Sequence, residues 1–206
     1  LSLGRVNLPS LQPPHAIHPR TIHWPGKGAF PRITPDGTIG GVHTYTIRPA
    51  RPGDATRLLD LQRALDRESR FMLLEPEERT TDPVRLRDRL SEEADPSYTI
   101  VADDGGLAGY IEVTVLPFAR ARRTGYVVMG VRAARAGQGV GTALLQAAAE
   151  QARRQGMRRL ELTVMTHNRR ALGLYLTCGF EVEGLRRSAL VLDGTNTDEY
   201  YMGLIL

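Results

Sequence analysis

One stretch limits what this chain can fold into more than any other: Val131-Arg132-Ala133-Ala134-Arg135-Ala136-Gly137-Gln138-Gly139-Val140-Gly141-Thr142. It joins an apolar, strand-like segment, Thr124–Val131, to an amphipathic one running from about Gly139 to Gln155. Glycine at every second position frees the backbone from Cβ obstruction, so successive N–H groups can turn toward one anion. The helix N-terminus behind them adds partial positive charge. A pyrophosphate suits such a cradle, and a ligand-free strand-to-helix turn would use the same letters. No Gly-Lys-Ser/Thr follows, which excludes a Walker A loop. A dinucleotide fold fits poorly, because the loop comes late, after an antiparallel hairpin, with no acidic-ended second βαβ unit.

The texture around this loop sets the organisation. Residues 1–43 carry Pro9, Pro13, Pro14, Pro19, Pro25, Pro31 and Pro35 among glycines, which reads as an extended N-terminal extension. Residues 44–206 read as one domain. Tyr45–Arg48 alternates as a strand, and Pro52-Gly53-Asp54 opens a helix with Leu58, Leu59, Leu61 and Leu65 on its apolar face. Asp82 as cap and Pro83 at the first position predict a second helix. Tyr98–Ala102 and Leu107–Leu116 flank Asp103-Asp104-Gly105-Gly106, a hairpin signal. After the glycine loop and its helix come a strand at Leu160–Val164 and a helix at Arg169–Cys178. Ser188–Leu192 and Glu199–Leu204 close the chain as a hairpin around Asp193-Gly194-Thr195-Asn196. The order β-α-α-β-β-β-α-β-α-β-β predicts an α/β (α+β) fold, a mixed central sheet flanked by helices.

Composition narrows the function classes. With 41% hydrophobic residues in 206, a core can be buried. No apolar run reaches membrane-spanning length, and the first residues lack a secretory pattern, so a cytoplasmic location and no membrane partner are expected. The single cysteine, Cys178, excludes an intrachain disulfide, and no metal-ligand spacing is evident, so no metal is expected; His15, His18, His23 and His43 are scattered among prolines. The net charge of +4 favours anionic partners. The basic residues are interspersed with carboxylates and form no aromatic-interleaved stripe, so no nucleic-acid partner is expected.

A second segment gives the loop its context. Asn168-Arg169-Arg170-Ala171-Leu172-Gly173-Leu174-Tyr175-Leu176-Thr177-Cys178-Gly179-Phe180 resembles the Asn-x-x-Ala-x-x-Leu-Tyr-x-x-x-Gly-Phe pattern of the GCN5-related N-acetyltransferase (GNAT) superfamily. The glycine loop resembles that family's Gln/Arg-x-x-Gly-x-Gly/Ala, with Ala136 where Gln or Arg is usual and Arg135 one place earlier. The resemblance runs from about Tyr45 to Leu206, and the C-terminal half looks most like the bacterial branch of ribosomal-protein alanine, polyamine and amino-acid acetyltransferases.

The resemblance implies transfer of acetyl from acetyl-CoA, as co-substrate, to a primary amine of a small molecule or a protein N-terminus, by direct attack on the thioester. A non-catalytic acyl-CoA-binding module is the alternative. It implies cofactor contacts from Met129, Val131, Ala136, Gly137, Gln138, Gly139, Val140, Gly141, Thr142, Asn168 and Tyr175. The N–H groups of Met129 and Val131 would stabilise the oxyanion, on a strand splayed from its neighbour after Leu160. Glu112 is the candidate general base, or an ordinary solvent-facing strand residue. Tyr175 is the candidate proton donor to the leaving thiolate, or a core aromatic. Asn168 caps its helix or bonds the pantetheine arm. Cys178 reads as helix-end packing rather than as a nucleophile. Phe71, Glu75, Glu77 and Glu78 are expected near the acceptor entrance, or in a solvated loop. By the same analogy a homodimer through late strands is expected.

Overall fold

In the computed structural model, which describes residues 45–92 and 95–206, eleven elements follow the predicted order. They are β1 (Thr46–Pro49), α1 (Ala55–Glu68), α2 (Pro83–Ser91), β2 (Tyr98–Asp103), β3 (Leu107–Val115), β4 (Thr124–Val131), α3 (Val140–Arg154), β5 (Arg159–Met165), α4 (Arg169–Thr177), β6 (Glu181–Leu192) and β7 (Thr195–Ile205). The proline-rich extension and its histidines lie outside the described residues.

The strands form one sheet in the order β1-β2-β3-β4-β5-β7-β6. Every neighbouring pair is antiparallel except β4 and β5, which are joined through α3 and run parallel. Alternation along the strands divides the core in two. On one face Leu58, Leu59, Leu61 and Leu65 of α1 and Leu86 of α2 pack on Val101 and Tyr110. On the other, Val140, Leu144, Leu145, Ala148 and Ala152 of α3 pack on Ile100, Ile111, Val113, Val127 and Leu160.

Local chemistry sets the boundaries. The Asp82 side chain accepts the Arg85 N–H at 2.9 Å, and Pro83 follows at the first helical position. The β6–β7 turn is Asp193-Gly194, with φ +49° and +74°, the left-handed pair a two-residue hairpin needs. Ion pairs fasten the α1 layer to the sheet: Arg48 of β1 donates to Asp54 at 2.6 and 2.8 Å and to Asp103 at 2.7 Å. These bonds hold the Asp54 carboxyl down to about 2, against burial that pushes it up.

Both strands of the closing hairpin begin earlier than expected: β6 at Glu181 rather than Ser188 and β7 at Thr195 rather than Glu199, because their pairing runs from Glu181–Gly203 to Leu192–Thr195, with a bulge between Arg186 and Leu190. Ser188 sits there at φ +49° and donates its N–H to Asp198 Oδ1 at 2.7 Å.

Candidate active site

The glycine loop closes onto α3 through two left-handed residues, Gly137 and Gly139, each at φ +81°. The first intrahelical bond from the loop side is Ala143 N–H to the Gly139 carbonyl at 3.0 Å. The N–H groups of Val140, Gly141 and Thr142 therefore have no partner within the helix and point out of its positive end. Gly141 is helical, without positive φ, and a Cβ there would lie 2.8 Å from Leu174 Cδ2 and 3.7 Å from Met129 Cε. Its missing side chain lets α3 and α4 approach each other, while its N–H remains one of the three free amides at the helix end.

The loop's side chains are mostly committed. Arg132 pairs with Glu68 at 2.7 Å, and Arg135 pairs with Asp104 at 2.5 Å, which holds it away from the position left by Ala136. Gln138 donates to the Ala134 carbonyl at 3.1 Å. Among the described residues Gln138 Oε1 and Arg132 Nε are buried without a partner, and buried polar atoms in folded proteins are rarely left so. Free helix amides behind two left-handed glycines fit a bound diphosphate.

Beside the loop the sheet opens. The β4–β5 register runs through Thr124–Arg159, Gly125–Leu160 and Tyr126–Glu161 and then stops, so the strands diverge, as expected, just beyond Leu160. Arg132 N–H donates to the Ala108 carbonyl on the β3 side at 2.9 Å. N–H direction alternates along a strand, so those of Val131, Met129 and Val127 face the opened edge. At the foot of the opening Tyr126 Oη and Thr163 Oγ1 bridge the two strands at 3.0 Å.

Helix α4 lies against this opening. Asn168 Oδ1 accepts the Ala171 N–H at 3.1 Å, the capping geometry. Tyr175 is 9% exposed and stacks obliquely on Phe180, with centroids 5.8 Å apart. Burial first, and then the neighbouring Tyr126 phenol, push its own phenol well above the ordinary range, so it stays protonated. Burial likewise pushes the Cys178 thiol up to about 11, which opposes thiolate formation.

Loop, β4 edge and α4 thus converge on Met129, Gly141 and Leu174. Glu112 shares the α1–α2 face with Tyr110, and its carboxylate is held bidentately by Arg89 of α2 at 2.9 and 3.2 Å.

Other residues emerge only in three dimensions. Arg70, after α1, pairs with Asp193 at the β6–β7 turn at 2.8 Å, and the Phe71 ring lies 5.3 Å from that of His167. Arg70, Thr166, His167, Asp193, Asn196 and Asp198 are among the residues lining a polar cleft of about 390 Å³. The loop's carboxylates divide differently: Glu78 caps the Glu75 N–H at 2.9 Å, a local turn. Arg170 of α4 stands beside the glycine loop, its Nη2 3.4 Å from where a Gly137 Cβ would be. A basic residue next to the helix cap was its only sequence signal. Among the described residues no His, Cys, Asp and Glu side chains gather as a metal site, and no helix is long and apolar enough to cross a membrane.

Comparison with known proteins agrees with this geometry. An acetyltransferase of GNAT family from Streptococcus pneumoniae superposes with a TM-score of 0.76 at 30% identity, covering 79% of this chain and 99% of that one. A putative acetyltransferase from Salmonella typhimurium, solved with its cofactor acetyl-CoA, shares the fold at 24% identity and a TM-score of 0.70, covering 79% and 94%. So does a ribosomal-protein-alanine N-acetyltransferase from Brucella melitensis, at 24% and 0.69, covering 78% and 99%. No curated protein sequence matches the chain. The family profile described as Acetyltransferase (GNAT) family matches residues 58–180. With that match, a glycine cradle at a helix N-terminus and a parallel strand pair that opens beside it, the chain belongs to the GNAT acetyltransferase family.

Proposed function

We propose that this protein transfers an acetyl group from acetyl-CoA to a primary amine, on a small molecule or a protein N-terminus, by direct attack on the thioester. The observation that carries this reading is the opened β4 edge, where Met129 and Val131 amides face the gap beside the glycine cradle. Acetyl-CoA supplies the acyl group in activated form. The amides of the Gly137–Thr142 segment hold its pyrophosphate, and Asn168 orients the helix that flanks the pantetheine arm. As the C–N bond forms and the C–S bond breaks, Met129 and Val131 N–H groups donate to the oxygen that gains charge, each worth about 3 kcal/mol. Tyr175, kept protonated by burial, donates to the departing sulfur. The ammonium proton leaves through Glu112, directly or through water. The acceptor approaches from the cleft of Arg70, His167 and Asn196, between the loop after α1 and the β6–β7 turn.

The Glu112–Arg89 pairing favours a second reading, an acyl-CoA-binding module without turnover, because the Arg89 guanidinium occupies both carboxylate oxygens. Calorimetric titration with acetyl-CoA, with NADH as control, tests the cofactor. Thiol release across a panel of amines then separates the two readings. Binding with turnover on some amine supports transfer, and binding without turnover across the panel supports the module.

A further inference from the structure

We propose that Arg170 is a binding residue for the cofactor's pyrophosphate, reaching across from α4 to the glycine loop; the inference rests on the acetyl-CoA reading above. A diphosphate brings negative charge to the cradle, and the loop itself has little to neutralise it. Ala136 has no polar side chain, Arg132 is paired with Glu68, and Arg135 is paired with Asp104. Each of those pairs is locally neutral. Arg170 is different: its Nη2 lies 3.4 Å from the Cβ position of Gly137, and it forms no ion pair among the described residues. A guanidinium beside the left-handed Gly137 can reach an anion held on this loop, and its planar fork suits phosphate oxygens.

Its position on α4 points the same way. Arg169 and Arg170 occupy the first turn, where the helix dipole disfavours cations, and no acidic residue stands there. A residue set against its local preference marks a place where something else is satisfied. A bound diphosphate reverses the sign of the arrangement, since the anion then sits between the positive ends of α3 and α4 with Arg170 beside it. The same contact ties together the two helices that already meet at Gly141 and Leu174, and α4 is the helix that carries Tyr175. Cofactor affinity and the placement of the proposed acid are thereby coupled through one short helix.

The test is calorimetric titration of the wild type, Arg170→Ala and Arg170→Lys with coenzyme A and with dephospho-coenzyme A, which keeps the pyrophosphate and lacks only the 3′-phosphate. Arg170 is exposed, so both variants are expected to fold, and circular dichroism checks this. Arg170→Ala should weaken both ligands by about tenfold, with a shallower salt dependence, and Arg170→Lys should recover part of the loss as a point charge without the fork. Unchanged affinity in Arg170→Ala overturns the proposal. So does a loss seen with coenzyme A alone, which would put the guanidinium on the 3′-phosphate. Failure of the wild type to bind acetyl-CoA at all is a separate outcome, which removes the cofactor reading itself and this inference with it.

Discussion

Replacing Tyr175 with Phe removes one oxygen from a buried ring and leaves its packing in place. The ring keeps its contact with Phe180 at 5.8 Å, and burial and neighbouring ionisable groups, with no hydrogen bond among them, shift the phenol. A hydroxyl that forms no hydrogen bond among the described residues adds little to stability, so the unfolding free energy should stay within about 0.5 kcal/mol of wild type. Acetyl-CoA affinity should change by less than about threefold, since the oxygen matters only when the sulfur departs. Proton donation accounts for about 10²–10⁴ in rate, so kcat for thiol release should fall by at least about 10², or ~2.7 kcal/mol of barrier. The pH profile is a second readout. With the folded phenol raised above its ordinary value, the donor is fully protonated below about pH 10 and is lost only as pH climbs toward the folded value. Wild-type kcat should hold into the alkaline range, and the variant should have no limb from this group. Thiol release with calorimetry on the same samples gives each number. A Tyr175→Phe protein with kcat within about threefold of wild type across the pH range would refute the acid role and leave the proton to water.

Gly139→Val places a β-branched residue at φ +81° and fills the cradle; acetyl-CoA binding measured by calorimetry should vanish while the melting curve shows a cost of about 2 kcal/mol. Glu112→Gln should lower kcat for thiol release if Glu112 accepts the proton; Arg89→Ala frees the carboxylate and should not reproduce that loss, whereas equal losses in thermal stability alone would make the pair structural. Asp54→Asn removes the carboxylate that Arg48 holds at 2.6 Å, at a cost of about 2 kcal/mol by denaturant unfolding near neutral pH. Because the folded carboxyl is depressed, that contribution is present above about pH 4 and is lost as pH falls toward about 2, so wild type and variant should converge in acid.

Order and type of the elements were legible because they rest on local signals. Leu58, Leu59, Leu61 and Leu65 recur at helical spacing, Asp82-Pro83 caps α2, and Asp193-Gly194 supplies the two left-handed residues of a hairpin. The glycine loop was legible too, since Gly137 and Gly139 take conformations that other residues adopt only at a cost. The pairing of Glu112 with Arg89, of Arg135 with Asp104 and of Arg70 with Asp193 was not, because each joins residues from separate elements. The early start of β6 was missed for a related reason: its first half reads as polar and lies exposed, and only pairing with β7 makes it a strand.

The sequence by itself determined which segments are helix and strand, where the chain turns through left-handed glycines into α3, and the family pattern of Asn168 to Phe180. Those follow from backbone restrictions and hydrophobic period, which act over a few residues. Only the tertiary structure decided that the missing side chain of Gly141 makes room for Leu174 of α4. It alone decided that the arginines of the loop are already paired while Arg170 from another helix stands beside it. Those outcomes depend on which atoms come within a few ångströms of each other across distant parts of the chain, and close packing settles that only once the sheet and its two helical layers are assembled.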